Sequence, residues 1–459
     1  MKIKVAIAVL LLCPGITVVS AGGSFIPEYE AFRLDNGLQV VLIENHQQPT
    51  VVFKLVILSG SATDSDTLAG LASLSIEMLK AGTEQFPGGK LAAMTDSVGG
   101  IMEMVMGRDA LSISGDFLSR DLPLSLTMLA DMVIRPLFSE ETLARIKNQH
   151  ISWLMQMSSI SSSFIQSALF RRIYGDAGYG ADKIGTGSGL RRIKREDVVR
   201  FHRRYIRPNN AVLIIGGDFA GHDTKQLVTE LFADWQRAED FRRPKVSATV
   251  PDSLKILLID RPNAPMTEFI IGGPAVPVGS DQFPALILLN YILGAGGEVS
   301  RLHKDLIQDS ELAANVNSTL MWSRESGVLH VQGTAPNDMA ADALSHTFQV
   351  MTELKDLRIP VRELTEAKRH YLGSIPGGFE TFADAVFKFA GLFAFGVDIN
   401  YHEHLFKQLD GVGPVMMQKT AEEFLDVNHM TIIISGPEDI LRRDLSTLAP
   451  IDVLRSGSE

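Results

Sequence analysis

The chain has little of what three large protein classes require. It has one cysteine, Cys13, in 459 residues, so no disulfide framework holds it together. Its 43 basic residues are outnumbered by 54 acidic ones, for a net charge of −11, and no block of Lys and Arg stands out. That argues against a general nucleic-acid or anionic-membrane binder, which needs a basic footprint. After the first 21 residues no uncharged apolar run approaches the ~20 residues that span a bilayer. What is present is an apolar content of 45% with only 21% charged residues, too apolar for a disordered chain. At ~100–200 residues per domain, the length allows two or three cores.

Residues 1–21 are predicted to be a signal peptide. Lys2 and Lys4 precede the apolar run Val5–Leu12, and Val19-Ser20-Ala21 offers small residues for cleavage. Leu12 is too large for a lipoprotein box before Cys13, so cleavage would remove that cysteine. The expectation is an exported, periplasmic chain held together by packing alone.

The sequence repeats itself. Leu38–Pro49 (LQVVLIENHQQP) aligns without a gap on Leu254–Pro265 (LKILLIDRPNAP) at an offset of 216. Tyr205–Gly217 (YIRPNNAVLIIGG) aligns on Phe424–Gly436 (FLDVNHMTIIISG) at an offset of 219. Two buried-strand patterns, each duplicated at nearly one offset, imply two homologous halves. Helical periodicity at Leu68–Lys80, Ser139–Met157, Gln166–Tyr174 and Thr224–Trp235 segregates from the strand runs, including the alternating Met102, Met104 and Met106. This predicts α+β rather than a doubly wound sheet: two homologous domains, each a mixed, mostly antiparallel sheet with helices on one face. The expected division is 22–240 and 253–459, joined by a polar linker at 241–252.

Several motifs, in order, resemble the M16 (pitrilysin/insulinase-like) metallopeptidase family: LDNGLQVVL at Leu34–Leu42, GLASLSIEMLKAGT at Gly70–Thr83, YGADKIGT at Tyr179–Thr186, RRYIRPNNAVLIIGGDF at Arg203–Phe219 and LGAGGEVSRL at Leu293–Leu302. The resemblance runs from about Phe32 to about Leu448 and implies the M16 fold. It also implies an inverted H-x-x-E-H helix, whose two histidines hold zinc and whose Glu activates the zinc-bound water. Here the histidine positions are Ser73 and Glu77 and the base position is Ile76. The third ligand of resembling chains falls on Trp153, and no acidic residue lies between Glu141 and Asp176. The Arg and Tyr that hold a substrate backbone in active members correspond to Ile307 and Ala314, or Asn315 if the loop slips by one. An Asn-Ala step on the substrate-pairing edge strand is replaced by Glu103-Met104. No catalytic residue, metal ligand or cofactor is therefore expected.

Other clusters read more simply. His402 and His404 lie two apart and face different sides of a helix. The glycine loops at Gly185–Gly189 and Gly294–Gly297 lack a phosphate-loop context. His150 stands alone, and Ser73 and Ser75 have no His–Asp pair in the sequence. The resemblance offers the Gly294–Arg301 loop, with Gly294, Gly296, Gly297 and Arg301, as a partner contact. It implies a pseudopeptidase that completes the peptide chamber of a zinc-bearing M16 partner as a dimer. The alternatives are a stand-alone or self-dimeric peptide-binding scaffold and a peptidase with a relocated site.

Overall fold

The computed structural model describes residues 17–19, 25–157, 161–219, 221–239 and 246–455. Most of the signal segment, Cys13 included, lies outside these residues. So do 240–245, at the start of the expected linker, while 246–252 carries no helix or strand.

Strands gather into two sheets. The first holds β1 (Thr17–Val19), β2 (Tyr29–Arg33), β3 (Gln39–Glu44), β4 (Thr50–Ile57), β5 (Ile101–Met106), β6 (Leu111–Leu118) and β7 (Ala211–Gly217), in the order β1-β2-β3-β7-β4-β6-β5. The second holds β8 (Lys255–Asp260), β9 (Thr267–Ala275), β10 (Asn315–Trp322), β11 (Gly327–Ala335), β12 (Thr431–Gly436) and β13 (Ile451–Arg455), in the order β10-β11-β9-β12-β8-β13. Five strands repeat with the same neighbours and directions. β5-β6-β4-β7 and β10-β11-β9-β12 are antiparallel throughout, and β7–β3 and β12–β8 are parallel. Even the register repeats. Gln39 faces Val212, and Lys255 (39 + 216) faces Thr431 (212 + 219). Each pair thus takes up one of the two offsets found in the sequence. The sixth strand breaks the symmetry: β2 comes from the N-terminal side and runs antiparallel to β3, whereas β13 is C-terminal and runs parallel to β8.

Helices cover one face of each sheet, as expected. On the first, α1 (Leu71–Lys80), α2 (Leu122–Ile134), α3 (Glu140–Met157) and the later α5 (Arg195–Tyr205) bury Leu74, Met78, Leu126, Leu129, Ile146, Val198 and Phe201 against Val40, Phe53 and Ile113. On the second, α6 (Phe283–Asn290) and α7 (Ala340–Asp356) do the same with Leu286, Leu289, Leu344 and Met351.

The opposite faces hold a finding the sequence reading did not include. Helix α4 (Ser161–Tyr174), from the first half, packs on the second sheet: Ile165, Leu169, Phe170 and Ile173 meet Ile259, Ile270, Val328 and Ile433. Helix α8 (Phe382–Phe395), from the second half, packs on the first sheet: Val386, Phe389 and Ala390 meet Val41, Ile43, Val52, Val212 and Ile214. The halves exchange helices, so the central strands are buried on both sides. That is why VVLI at 40–43 and VLII at 212–215 run apolar without alternation. Each exchanged helix is seated beside a strand glycine. A Cβ on Gly216 would stand 2.6 Å from Val386 Cγ2, and one on Gly272 would stand 3.1 Å from Leu169 Cδ2.

Further contacts fasten the halves. Ile26, just before β2, and Tyr29, at its start, enter the α8 layer, with Tyr29 edge-on to Phe389 at 5.5 Å. In the turn between β5 and β6, Asp109 accepts from Tyr179 Oη and from the Arg324 N–H at 2.8 Å, tying the first sheet to the β10–β11 hairpin.

One core histidine sets an acid limit. His202 on α5 is buried against Phe138, and its Nε2 donates to the Val133 carbonyl at 2.8 Å. Burial holds its pKa down to about 4, below the ordinary 6.5. Above 6.5 the folded and unfolded chains are both neutral there. As pH falls from 6.5 toward 4, only the unfolded chain gains the proton, so stability should fall by up to about 3 kcal/mol from this residue alone. Urea melts across that range should show the decline, and His202→Gln should flatten it by that amount.

Candidate functional site

The helix that carries the degenerate motif is firmly placed. Asp64 accepts the N–H groups of Gly70 and Ala72, both at 2.9 Å, at the N-terminus of α1. Burial pushes its carboxyl up to about 7, against the pull of those donors. The sequence reading missed Asp64; a carboxylate six residues before the Gly70 step was the available signal.

On α1, Ser73 and Ile76 are buried, at 8% and 4% exposure, and Glu77 is half-buried beside Lys80, N to O 3.9 Å. On the facing helix α3, His150 lies within electrostatic reach of Glu77. The Glu77 carboxylate acts on the His150 imidazole and raises its pKa, while burial lowers it more. Trp153, one turn further on, is 41% exposed. The site therefore offers one carboxylate, one hydroxyl and one imidazole whose Nδ1 is buried without a hydrogen-bond partner. No Ser–His or His–Glu hydrogen bond forms a nucleophile relay.

Zinc does not fit this donor set. A tight site needs three or four strong ligands, and among the described residues no group of three His, Cys, Asp or Glu is placed to hold a metal. At the base position the Ile76 side chain can neither take nor give a proton. No zinc-peptidase step can be assembled here.

The remaining positions are spread over both sheets. Glu103 and Met104 lie on β5, an edge strand with one free side, on which Ile101 and Val105 are 58% and 57% exposed. Met102, Met104 and Met106 point the other way and pack against the first core. Ile307 packs against the second core in a π-helical turn, Lys304–Asp309. Ala314 is exposed, its N–H bonded to the Thr334 carbonyl at 2.8 Å. Between them Glu311 holds φ 53, the one positive φ outside glycine among the described residues.

The Gly294–Arg301 loop differs from expectation at both ends. Gly294 is buried, and a Cβ there would meet the Ser318 nitrogen at 2.4 Å, so it is a packing residue. Arg301 is taken up inside the chain. Its Nε and Nη2 donate to both Glu363 oxygens at 3.0 and 3.4 Å, and only 20% of its side chain is exposed. Gly297 remains at the tip, half-buried Gly296 beside it, with Glu298 and the 49%-exposed Val299, neither of which the sequence reading singled out.

The other sequence clusters stay apart from any site. His402 meets Phe379 edge-on at 5.3 Å, and Thr186 in the 185–189 loop caps a short helix by accepting the Gly189 N–H at 3.0 Å. No helix among the described residues is long and apolar enough to cross a membrane.

Comparison with known proteins agrees with this anatomy. Residues 39–187 match Insulinase (Peptidase family M16), and residues 192–371 match the Peptidase M16 inactive domain. The chain is 23% identical over 346 residues to the "Uncharacterized zinc protease YmxG" of Bacillus subtilis, covering 75% of this chain and 83% of that protein. It is 21% identical over 401 residues to the "Non-peptidase homolog YmxG" of Helicobacter pylori, covering 86% and 91%. A crystal structure described as a peptidase M16 inactive domain from Pseudomonas fluorescens superposes with a TM-score of 0.82 at 22% identity, covering 89% of this chain and 98% of that one. A Helicobacter pylori protease structure superposes equally well, TM-score 0.82 at 18% identity, over 90% and 100%.

Proposed function

Because the chain belongs to peptidase family M16 yet carries Ser73, Ile76 and Glu77 where that family's zinc ligands and base stand, we propose that it is a pseudopeptidase subunit. In this reading it pairs with a zinc-bearing M16 relative in the periplasm and completes that partner's peptide chamber. The observation that carries the non-catalytic part is the α1 site, with a buried aliphatic side chain in place of the base and no three-ligand set. The name "non-peptidase homolog", borne by the Helicobacter relative, supports it. The partner role is supported by the exposed Gly297–Val299 tip. A leader ending at Ala21 would place the chain in the periplasm. Its removal would take β1 with it and leave six strands in each sheet.

Co-expression with a zinc-bearing M16 relative is the test. Peptide cleavage should rise at least ~10-fold over the relative alone, and the two chains should co-elute through an interface above ~1,000 Å². Val299→Asp should weaken that association at least ~10-fold, since a charge would be buried unpaired at the contact. A relative equally active alone, with this chain monomeric at micromolar concentration, overturns the subunit reading.

A second reading has one observation in its favour. The β5 edge, with free backbone groups and exposed Ile101 and Val105, suits an extended peptide added as a strand. A self-dimer that binds peptides without cutting them would establish that scaffold role instead.

A further inference from the structure

His330 lies at the centre of the second exchanged layer. It sits on β11 between Gly272 of β9 and Thr319 of β10, 3% exposed, with its Nδ1 buried and without a hydrogen-bond partner. Above that face is α4, which presents Ile165, Leu169, Phe170 and Ile173. A neutral imidazole tolerates this setting better than an imidazolium, because among the described residues none accepts a proton from the buried Nδ1.

We propose that α4 is an acid-released strap between the halves: proton uptake by His330 lifts α4 off the second sheet while each half's own core stays folded.

The polar surroundings of α4 work in the same direction or stay neutral. Asp182 accepts from Ser167, the Arg108 guanidinium lies 4.0 Å over the Phe170 ring, and Arg261 lies 5.8 Å over Phe164. None of these charges offsets the burial of His330, which holds its pKa at about 4. At the C-terminal end Tyr174 Oη lies 3.0 Å from Ser326 Oγ and 2.9 Å from the Gly327 carbonyl, with the Asp109 latch alongside. Burial raises the Asp109 pKa, so acid also neutralises the acceptor of that latch. At the foot of α8, His402 lies against Phe379 with its Nδ1 likewise unpartnered and Lys388 adding repulsion, so the opposite strap loosens in the same sense. Release of α4 would uncover Ile259, Ile270, Val328 and Ile433, an apolar surface that is closed at neutral pH.

Hydrogen exchange read segment by segment, as protection factors corrected for the intrinsic pH dependence of exchange, tests this on the full chain. From about pH 6.5 to about pH 4.5, protection of α4 should fall by about 40-fold, since an open-form histidine of ordinary pKa 6.5 is already half protonated at the upper pH and the closed form, near 4, begins to protonate at the lower. Because His202 bonds to Val133 of α2 and titrates over the same range, the comparison is made in a His202→Gln background, where protection of α1 and α2 should hold better than that of α4. His330→Leu should keep α4 protected at the lower pH. His330→Gln, which retains polarity without titrating, should do the same and serves if the leucine variant fails to fold. Uniform loss across α1, α2 and α4, or an unchanged acid response of α4 in either variant, overturns the proposal.

Discussion

Replacing Phe389 with alanine is expected to cost about 3–5 kcal/mol, the range for deleting a fully buried aromatic ring. Phe389 is fully buried at the contact between α8 and the first sheet, edge-on to Tyr29 and 6.1 Å from Phe379. One ring thus joins the start of β2, the exchanged helix and the rest of the sheet. Against the 5–15 kcal/mol that stabilises ordinary domains, that loss is a large fraction of the whole. Denaturant melts of wild type and variant should show the midpoint shift in a single transition, since the two halves share this layer. Two separate transitions in the wild type, with only one displaced by the variant, would mean that the halves fold independently despite the exchange.

The second large effect is a gain of metal. The wild-type chain is expected to purify with well under one zinc per chain, since α1 and α3 offer one carboxylate and one imidazole. Ser73→His, Ile76→Glu and Glu77→His combined with His150→Glu should raise the content toward one zinc per chain, because two histidines four apart on a helix plus a facing carboxylate meet the ligand requirement. The same three changes with Trp153→Glu should bind zinc more weakly, since position 153 is 41% exposed whereas His150 is half-buried and feels the Glu77 charge. Metal analysis after dialysis distinguishes the two sets. Equal zinc in both, or stoichiometric zinc in the wild type, would contradict the site geometry. Peptide cleavage should remain weak in either variant, because Ile307 and Ala314 supply no donors to a substrate carbonyl.

Much of the fold was legible in the residues. Gln39–Glu44 and Ala211–Gly217 announced themselves as buried strands by continuous apolar runs, and their copies announced the repeat. Periodicity also placed α3 and the strand of alternating methionines. What could not be read was which sheet a helix covers. The apolar stripe Ile165, Leu169, Phe170 and Ile173 shows that one face of α4 is buried, but both sheets offer the same kind of apolar partner. Pairing α4 with Val328 and Ile433 depends on where the chain goes after residue 174, and that is a property of the whole topology.

The site divides in the same way. Loss of the ligands was legible because residue type alone decides it: no placement turns Ile76 into a base. Geometry was less accessible. Counting residues along the chain led to Trp153; it did not bring out His150, one turn back, whose imidazole feels the Glu77 carboxylate. Arg301 looked available in the sequence because its partner Glu363 is 62 positions away. The resemblance offered Gly294 as part of a partner contact, yet the approach of Ser318 makes it part of the core.

The exchange of helices also sets a timetable for making the protein. The first sheet has its last strand once Gly217 has emerged, but the helix that roofs its second face begins at Phe382, 165 residues later (382 − 217 = 165). At ~5–20 residues per second, that interval is roughly 8–33 s. Throughout it Val41, Ile43, Val52, Val212 and Ile214 form an uncovered apolar wall, while the sheet that α4 rests on still lacks β12. Neither half can therefore be finished in isolation, and a fragment ending anywhere before about residue 395 carries a bare sheet face. The chain needs protection from aggregation for more than a third of its own synthesis (395 − 217 = 178 of 459 residues), and the last third of the sequence completes the first sheet.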